Sequence, residues 1–299
     1  MNQQQSICSQ AREKTRAKRA ATQVFSFLTL RAAAFVYCAA LVSACVLLFV
    51  IGIAALNIDF VLDSPREMMT SGGVFPCLVG TFLLAAGAIA IALPFGVACA
   101  VWLNEYGKQG PVVDIVRLSV ANLAGVPSIV FGLFGLAFFV TALGFNVSLL
   151  SGILTLAVLT LPVIINTTEE ALKQVPRSWR DASLALGATK SQTIGRIVLP
   201  SALPGILTGA ILAVARAAGA TSAVLCTAAV FYSPKLPESG WSAVMALPYH
   251  MYVLATAGTE IEKTRPMQYG TGLLLAVLVF AMNLIAILIR DKMQKKRLA

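Results

Sequence analysis

The composition of this chain of 299 residues is that of a membrane protein, with 58% hydrophobic and only 12% charged residues. An ordinary soluble domain carries roughly 25% charged residues, which argues against a soluble enzyme or a soluble binding module. The net charge of +10 comes from 23 lysines and arginines against 13 acidic residues.

The first part of the chain is a basic segment, residues 1–32, followed by an apolar stretch at 33–56. The cluster from Arg12 to Arg19 is compatible with nucleic-acid binding, but a basic run beside a first span is also what membrane topology produces. The apolar stretch is longer than the roughly 7–15 residues of a cleavable signal. Val42 to Cys45 resembles a lipoprotein cleavage box, yet it lies mid-span. We therefore predict an uncleaved anchor.

Charge-free stretches long enough to cross a bilayer, about 20 residues, recur along the chain. The longest, 118–168, has room for two spans and is divided by the small and polar residues Gly144 to Asn146. The sequence therefore predicts an all-α integral membrane protein. Its six transmembrane helices are placed at 33–56, 75–103, 118–143, 147–167, 203–231 and 271–289.

The third predicted helix is unusual in its glycines and its proline. Gly125, Pro127, Gly132 and Gly135 indicate a bent helix that packs closely against a neighbour. Ser128 follows the proline directly, and its hydroxyl could meet a passing oxyanion.

The longest polar connection, 169–200, predicts two short amphipathic helices. Val175-Pro176 interrupts the chain, Ser178 and Asp181 have the spacing of a capping box, and a turn is expected at Gly187. A second helix is expected from Thr189 to Val198, with Pro200 at the entry to the next span. Such a pair either forms a rigid platform for a partner or simply lies at the membrane interface.

The fifth predicted span holds a single charge, Arg216. An ionisable group at membrane depth costs roughly 3 kcal/mol or more, so it usually faces protein or a water-filled path. Gly205 and Gly209, extended by alanines at steps of four, predict a face that packs closely on another helix, and Arg216 lies nearly above Gly209. An anion path is one interpretation, which would also use the hydroxyls of Thr221 and Ser222. Snorkelling to headgroups or a purely structural pairing remains the other.

The distribution of cations predicts the orientation. With six spans, eighteen lysines and arginines fall on the side of the two termini and four on the other, with Arg216 in the membrane. This asymmetry places both termini, including the tail 291–299, in the cytoplasm, and 33–290 forms the membrane domain.

One pattern in the polar connection is specific. Asp181-Ala182-Ser183, three spacers, Gly187, nine spacers and then Ile197, Leu199 and Pro200 resemble the EAA loop of bacterial ABC importer permeases. Asp181 replaces the usual glutamate and Ser183 the second alanine, which keeps the charge and the small size. The resemblance implies a type I importer permease architecture, in which the loop sits in a cleft of an ATP-hydrolysing subunit and 177–190 is the docking surface.

The resemblance extends over roughly residues 70–290 and is strongest to the PstA-type permeases of phosphate-specific importers. The stretches that carry it are Asn122 to Gly135, Leu161 to Ile164, Glu169 to Leu172, Leu184 to Lys190, Leu199 to Gly209 and Ala246 to Tyr252. These permeases commonly have a glutamate and a proline where this chain has Ala220 and Ala223. Arg216 therefore lacks the acidic partner that the family provides.

The resemblance implies a phosphate-importing complex with a second permease subunit, two ATP-binding subunits and an external phosphate-binding protein. The chain itself has no G-x-x-x-x-G-K-[ST] motif, which is consistent with ATP hydrolysis by a separate subunit. Its cysteines show no C-x-x-C spacing, and we predict neither a metal cluster nor a cofactor. The single histidine, His250, is expected at an interface or docking surface and not in a catalytic site. The alternatives are a permease for molybdate, sulfate or another oxyanion, the sister phosphate permease, and a membrane sensor that moves no solute.

Overall fold

The computed structural model of the chain describes residues 2–66, 69, 71–107, 110–256 and 261–298. It is almost entirely helical, which confirms the predicted all-α membrane fold. The helices are α1 (Asn2–Ala55), α2 (Ile58–Leu62), α3 (Phe75–Val101), α4 (Pro111–Gly125), α5 (Ser128–Gly135), α6 (Leu149–Gln174), α7 (Arg177–Ala185), α8 (Lys190–Thr193), α9 (Leu199–Ala218), α10 (Thr221–Thr227), α11 (Leu247–Thr256) and α12 (Ile261–Leu298). Three π-helical segments extend α3 (Trp102–Tyr106), extend α5 (Leu136–Ala142) and join α8 to α9 (Ile194–Val198).

The contacts within the chain divide it into two units, residues 1–50 and residues 51–299. The first unit is a single stretch of α1, which begins well before the predicted start of the first span. The second unit holds the helical bundle and a small antiparallel hairpin of β1 (Pro65–Arg66) and β2 (Ser71–Gly72). The functional division at 32 and 290 stays a prediction.

Five helices of the described part of the chain are long and apolar enough to cross a membrane. A sixth crossing is formed if α4 and α5 with its π-helical extension count as one broken span. The five are Ser26–Ala55, Phe75–Tyr106, Leu149–Gln174, Lys190–Ala218 and Thr264–Met293. The predicted number of six spans is therefore reached if the bent pair, at the place of the third predicted span, crosses the membrane as one span.

The core of the bundle is formed by α3, α6 and α9, whose small residues allow close approach. Gly96 of α3 lies against Ile164 of α6, and Gly87 lies against Ile153. On the other side of α6, Ala171 and Thr167 contact Gly205 and Gly209 of α9. A side chain at any of these glycines would displace its neighbour, so their size sets the spacing between the helices.

The bend predicted in the third span is present, and it is sharp. The axes of the α4 and α5 segments differ by 104° at Val126 and Pro127. Proline has no N–H to donate and disfavours the helical conformation in the residue before it, so the helix ends there. After the bend, Gly132 packs against the backbone of Ser222 and Ala223, and Gly135 against Thr155 and Thr227.

The continuous fifth span predicted at 203–231 is wrong. Helix α9 ends at Ala218, Gly219 caps it, and the chain leaves the helical conformation at Ala220 before α10 begins. Glycine has the lowest helix propensity after proline, and Ala220 is buried in an apolar cluster that draws the chain away from the axis of α9. Hydropathy does not detect this break because the residues on both sides of it are apolar.

The contact between α5 and α10 makes a matched pair of substitutions informative. We expect Gly132→Ala to lower the free energy of unfolding by about 1–3 kcal/mol, because the new methyl group meets the backbone of α10, which cannot move aside. Gly125→Ala is the control, since nothing lies within 4 Å of a Cβ at that position. Thermal unfolding in detergent measures both, and equal midpoints would contradict the close packing of α5 on α10.

Candidate functional site: the loop 169–200 and the interior around Arg216

Helix α7, the first helix of the loop, begins directly after Val175-Pro176. The capping box predicted at Ser178 and Asp181 is wrong, because Pro176 occupies the N-cap position and no side chain caps this end. The first turn therefore begins at Arg177, one residue before Ser178.

Gly187 ends α7 in a Schellman motif. Its N–H donates to the carbonyl of Leu184 at 3.0 Å, and the N–H of Ala188 donates to the carbonyl of Ser183 at 3.2 Å. Gly187 has a φ of +83°, the left-handed conformation that this motif requires and that other residues adopt at a cost. The turn predicted here is present, and the backbone explains why a glycine stands at this place in the loop.

The second part of the loop begins with a capping box two residues later. The Thr189 side chain accepts from the N–H of Gln192, and the Gln192 side chain accepts from the N–H of Thr189. The helix then continues through the π-helical segment into α9, so the predicted separate helix from Thr189 to Val198 is in fact the start of the fifth span. Pro200 lies directly after the π-helical segment, in the first turn of α9.

The two parts of the loop are joined by a buried hydrogen bond between Ser183 and Thr193, whose hydroxyl oxygens lie 2.9 Å apart. Ser183 therefore faces inward. Among the other residues of the EAA-like pattern, Asp181, Ala182 and Gly187 are exposed, whereas Ile197, Leu199 and Pro200 are half-buried.

The exposed surface of the loop carries three large apolar side chains among its polar ones. Leu186 is 89% exposed, Trp179 is 52% exposed and Leu184 is 48% exposed. Large apolar side chains grouped on a short helix at the end of a bundle are typical of a surface that another protein or a membrane covers.

Sequence reasoning missed two ionic groups beneath this surface. Arg180 of α7 pairs with Glu105, in the π-helical segment that ends α3, at 2.7 Å. Glu169 of α6 is paired with Arg117 of α4 and with Lys173, both at 2.9 Å. Both carboxylates are only 9% exposed. In the sequence these arginines and lysines served only to predict the orientation in the membrane. No sequence pattern indicated the carboxylates with which they form ion pairs.

Arg216 lies at mid-depth in the bundle. The contacts of Gly205 with Ala171 and of Gly209 with Thr167 fix the register of α9 on α6, and two further turns bring Arg216 level with Thr160. Thr160 is about 17 Å from the start of α6 and about 21 Å from its end, at 1.5 Å per residue.

Arg216 lies at the edge of the buried side of α9. Ala213 and Ala217 on the neighbouring face are buried, whereas Leu212, on the opposite side of Arg216, is 51% exposed. Arg216 itself is half-buried, and within the described part of the chain it has no hydrogen-bond or ion-pair partner. The position where the family commonly has a glutamate, Ala220, is buried among apolar residues.

The three predicted hydroxyl residues lie at helix starts. Ser128 is the first residue of α5, and Thr221 and Ser222 begin α10. The packing of Gly132 on Ser222 brings these two helices together. All three residues are half-buried, but no hydrogen bond links their side chains to one another or to Arg216 among the described residues.

His250 is not at a docking surface, which corrects the prediction. It is 1% exposed in α11, and its Nδ1 lies 3.3 Å from the hydroxyl oxygen of Thr271 in α12. Burial lowers the pKa of His250 to about 4, so the imidazole is neutral at physiological pH.

Known proteins resemble the chain both in sequence and in fold. Residues 92–298 match the family of binding-protein-dependent transport system inner membrane components. The probable ABC transporter permease protein YqgI of Bacillus subtilis is 31% identical over 269 residues, 84% of this chain and 91% of that protein. The phosphate transport system permease protein PstA 1 of Mycobacterium tuberculosis H37Rv is 39% identical over 228 residues, 76% of this chain and 72% of that protein.

Solved structures show the same fold. A chain of the MetNI methionine ABC transporter in an inward-facing conformation has a TM-score of 0.56 at 22% identity, covering 74% of this chain and 94% of that chain. A chain of the bacterial alginate ABC transporter has a TM-score of 0.57 at 13% identity, covering 86% and 88%. The chain therefore belongs to the inner membrane components of binding-protein-dependent transport systems, and it is a multi-pass ABC importer permease.

Proposed function

We propose that this permease is the PstA-type subunit of an ATP-driven phosphate importer. Relatives named as phosphate transport permeases support the substrate, with identities of 39% in Mycobacterium tuberculosis and 32% in Xylella fastidiosa. The observation that carries the proposal is Arg216, a half-buried cation at mid-depth for which the described residues provide no hydrogen-bond or ion-pair partner. A cation held there without a carboxylate favours an anionic solute.

The two helix breaks support an anion path at the same depth. Val126, at the break before α5, and Ala220, at the break before α10, pack in one apolar cluster. In transporters, broken helices at mid-membrane supply backbone groups to a solute, and the N-terminal ends of the half-helices favour negative charge. Ser128, Thr221 and Ser222 would add hydroxyl donors beside these ends.

The direction of transport explains the need for ATP. Moving one negative charge inward against the membrane potential costs about 2.3 kcal/mol per 100 mV, and a divalent phosphate costs twice that. The exposed apolar side chains of α7 and its C-terminal end, Trp179, Leu184 and Leu186, would receive the force by docking on an ATP-binding subunit. A second permease subunit, two ATP-binding subunits and an external phosphate-binding protein would complete the complex.

The cation distribution supports the orientation. The loop 169–200 and both termini would face the cytoplasm of a bacterial cell, in the inner membrane. The second candidate is a permease for another oxyanion such as molybdate or sulfate, because the Bacillus subtilis relative is known only as a probable ABC transporter permease. The sister phosphate permease and a sensor that transports nothing are the remaining alternatives.

We expect Arg216→Gln to reduce phosphate uptake by about a hundredfold, the order of a lost hydrogen bond to a charged group. Arg216→Lys keeps the charge but not the planar geometry and is expected to retain part of the activity. The complete transporter, reconstituted in liposomes with its binding protein, is supplied with ATP and labelled phosphate, and accumulation is measured. Assembly of the complex is checked by co-purification.

The same experiment separates the alternatives. Normal uptake by Arg216→Gln would remove Arg216 from the path. Accumulation of molybdate or sulfate in place of phosphate would identify another oxyanion permease, and no ATP-dependent accumulation of any anion would favour a sensor.

A second prediction concerns Gly187. We expect Gly187→Val to uncouple ATP hydrolysis from phosphate uptake, because a β-branched residue at this φ costs about 1–2 kcal/mol and reshapes the end of α7. Gly187→Asn is the matched control, since asparagine tolerates the left-handed conformation and no atom lies within 4 Å of a Cβ there. Phosphate transported per ATP hydrolysed is measured for both variants. Equal ratios would show that the turn has no part in coupling.

A further inference from the structure

One side chain of α7 points into the bundle, although its neighbours in the sequence are exposed. Arg180 is 17% exposed, whereas Trp179 beside it is 52% exposed. An exposed side chain and the side chain that ties α7 to the bundle are therefore neighbours on the same short helix.

Arg180 closes the end of α6. Its Nη2 donates to the carbonyl of Leu172 at 2.9 Å, and its Nη1 donates to the carbonyl of Val175 at 2.6 Å. The last carbonyls of a helix have no partner within that helix, and a cation near them is also favoured by the helix dipole. The guanidinium thus satisfies acceptors of the span that precedes α7.

The same guanidinium holds the end of α3. Nη2 lies 2.7 Å from Oε1 of Glu105, and Nε lies 3.3 and 3.4 Å from its two oxygens. Asn104 donates to the same carboxylate at 2.7 Å. Because a buried carboxylate without its cation is strongly unfavourable, this pair resists separation when α7 moves.

The ends of α3 and α6 are thus connected to α7 through one residue. A second contact reinforces the connection, since the ammonium of Lys190 in α8 lies 5.0 Å from the ring centroid of Tyr106. Further along, α3 and α6 pack closely at Gly96 and Ile164. Helices packed in this way move together, so a displacement of α7 reaches both.

We propose that Arg180 and Glu105 form a positioning pair that transmits displacement of α7 to α3 and α6. The inference rests on the proposed function of the loop as the docking site of an ATP-binding subunit. The pair itself touches neither solute nor nucleotide. Its task is to keep α7 and the two spans in one rigid unit while ATP-driven force is applied.

The geometry requires an arginine. The guanidinium offers five N–H donors in a fixed plane and reaches a carboxylate and two carbonyls at once, whereas a lysine ammonium is a compact charge that cannot satisfy this set of acceptors. A pair that only helped α7 to fold would affect docking of the ATP-binding subunit. A pair that transmits force would affect movement of α3 while docking persists.

The test uses the complete transporter reconstituted in liposomes, with Arg180→Lys, Glu105→Gln and the double variant. Spin labels are attached at Phe95 of α3 and Phe280 of α12, both of which are exposed. Three quantities are measured: the amount of ATP-binding subunit that co-purifies, the change in label distance when ATP is added, and the phosphate transported per ATP. Arg290→Lys is the matched control, because Arg290 is also paired with a carboxylate but lies in α12.

We expect both single variants to retain the ATP-binding subunits, to lose most of the ATP-driven change in label distance, and to transport about tenfold less phosphate per ATP. The double variant should transport no less phosphate per ATP than the more severe single variant, as is expected for two residues that act through one contact. Three results would overturn the proposal: a normal ATP-driven distance change in the single variants, loss of the ATP-binding subunits from them, or a loss of transport in the double variant that equals the product of the two single losses.

The distance measurement separates this proposal from the choice of solute. If the unsubstituted complex shows the ATP-driven distance change but accumulates no phosphate, the phosphate assignment fails, and the pair is still judged by the distance response of its variants. If that change persists in the variants while phosphate uptake is normal, the pair fails and the proposed function stands.

Discussion

The close contact between α6 and α9 fixes where the polar groups of the interior can lie. Gly205 and Gly209 bring the two backbones together against Ala171 and Thr167. This contact sets the register that brings Arg216 to the middle of α6, at the border between the buried and the open side of α9. Larger residues at the two glycines would separate the helices, and the depth of the cation would no longer be determined by the packing.

The two helix breaks matter because they leave backbone groups without partners inside their own helices. In a bilayer, backbone groups that leave a helix must be satisfied by protein or by water in a cavity. The breaks at Val126 and Ala220 both lie in the cluster that also holds Phe131 and Leu156. One residue at each break is thus packed within the protein, in the region that the proposed path would cross, whereas Gly125, Pro127 and Gly219 at the same breaks are exposed.

The sequence predicted the spans well because hydropathy reports length and composition, and it predicted the bend at Pro127 because a missing N–H has a local effect. It failed at Gly219 and Ala220, where an apolar run hides a break that tertiary packing imposes. It also misplaced His250, since a lone polar residue in a connection gives no sign of burial. The EAA-like spacing indicated Gly187 correctly, but the pairing of Arg180 with Glu105 joins residues 75 positions apart, and local patterns carry no information on such contacts.

Exposed and buried side chains of α7 and its C-terminal end differ in chemistry, and the difference suits two mechanical tasks. Apolar contacts such as those available to Trp179 and Leu186 are non-directional, so a partner can change its angle on them with little loss of binding free energy. Hydrogen bonds from a guanidinium to a buried carboxylate and to helix-terminal carbonyls are directional and weaken steeply when misaligned. A loop that follows a moving ATP-binding subunit and also moves the spans requires adaptable contacts on the outside and rigid contacts on the inside. The exposed Trp179 and the largely buried Arg180 meet these two requirements.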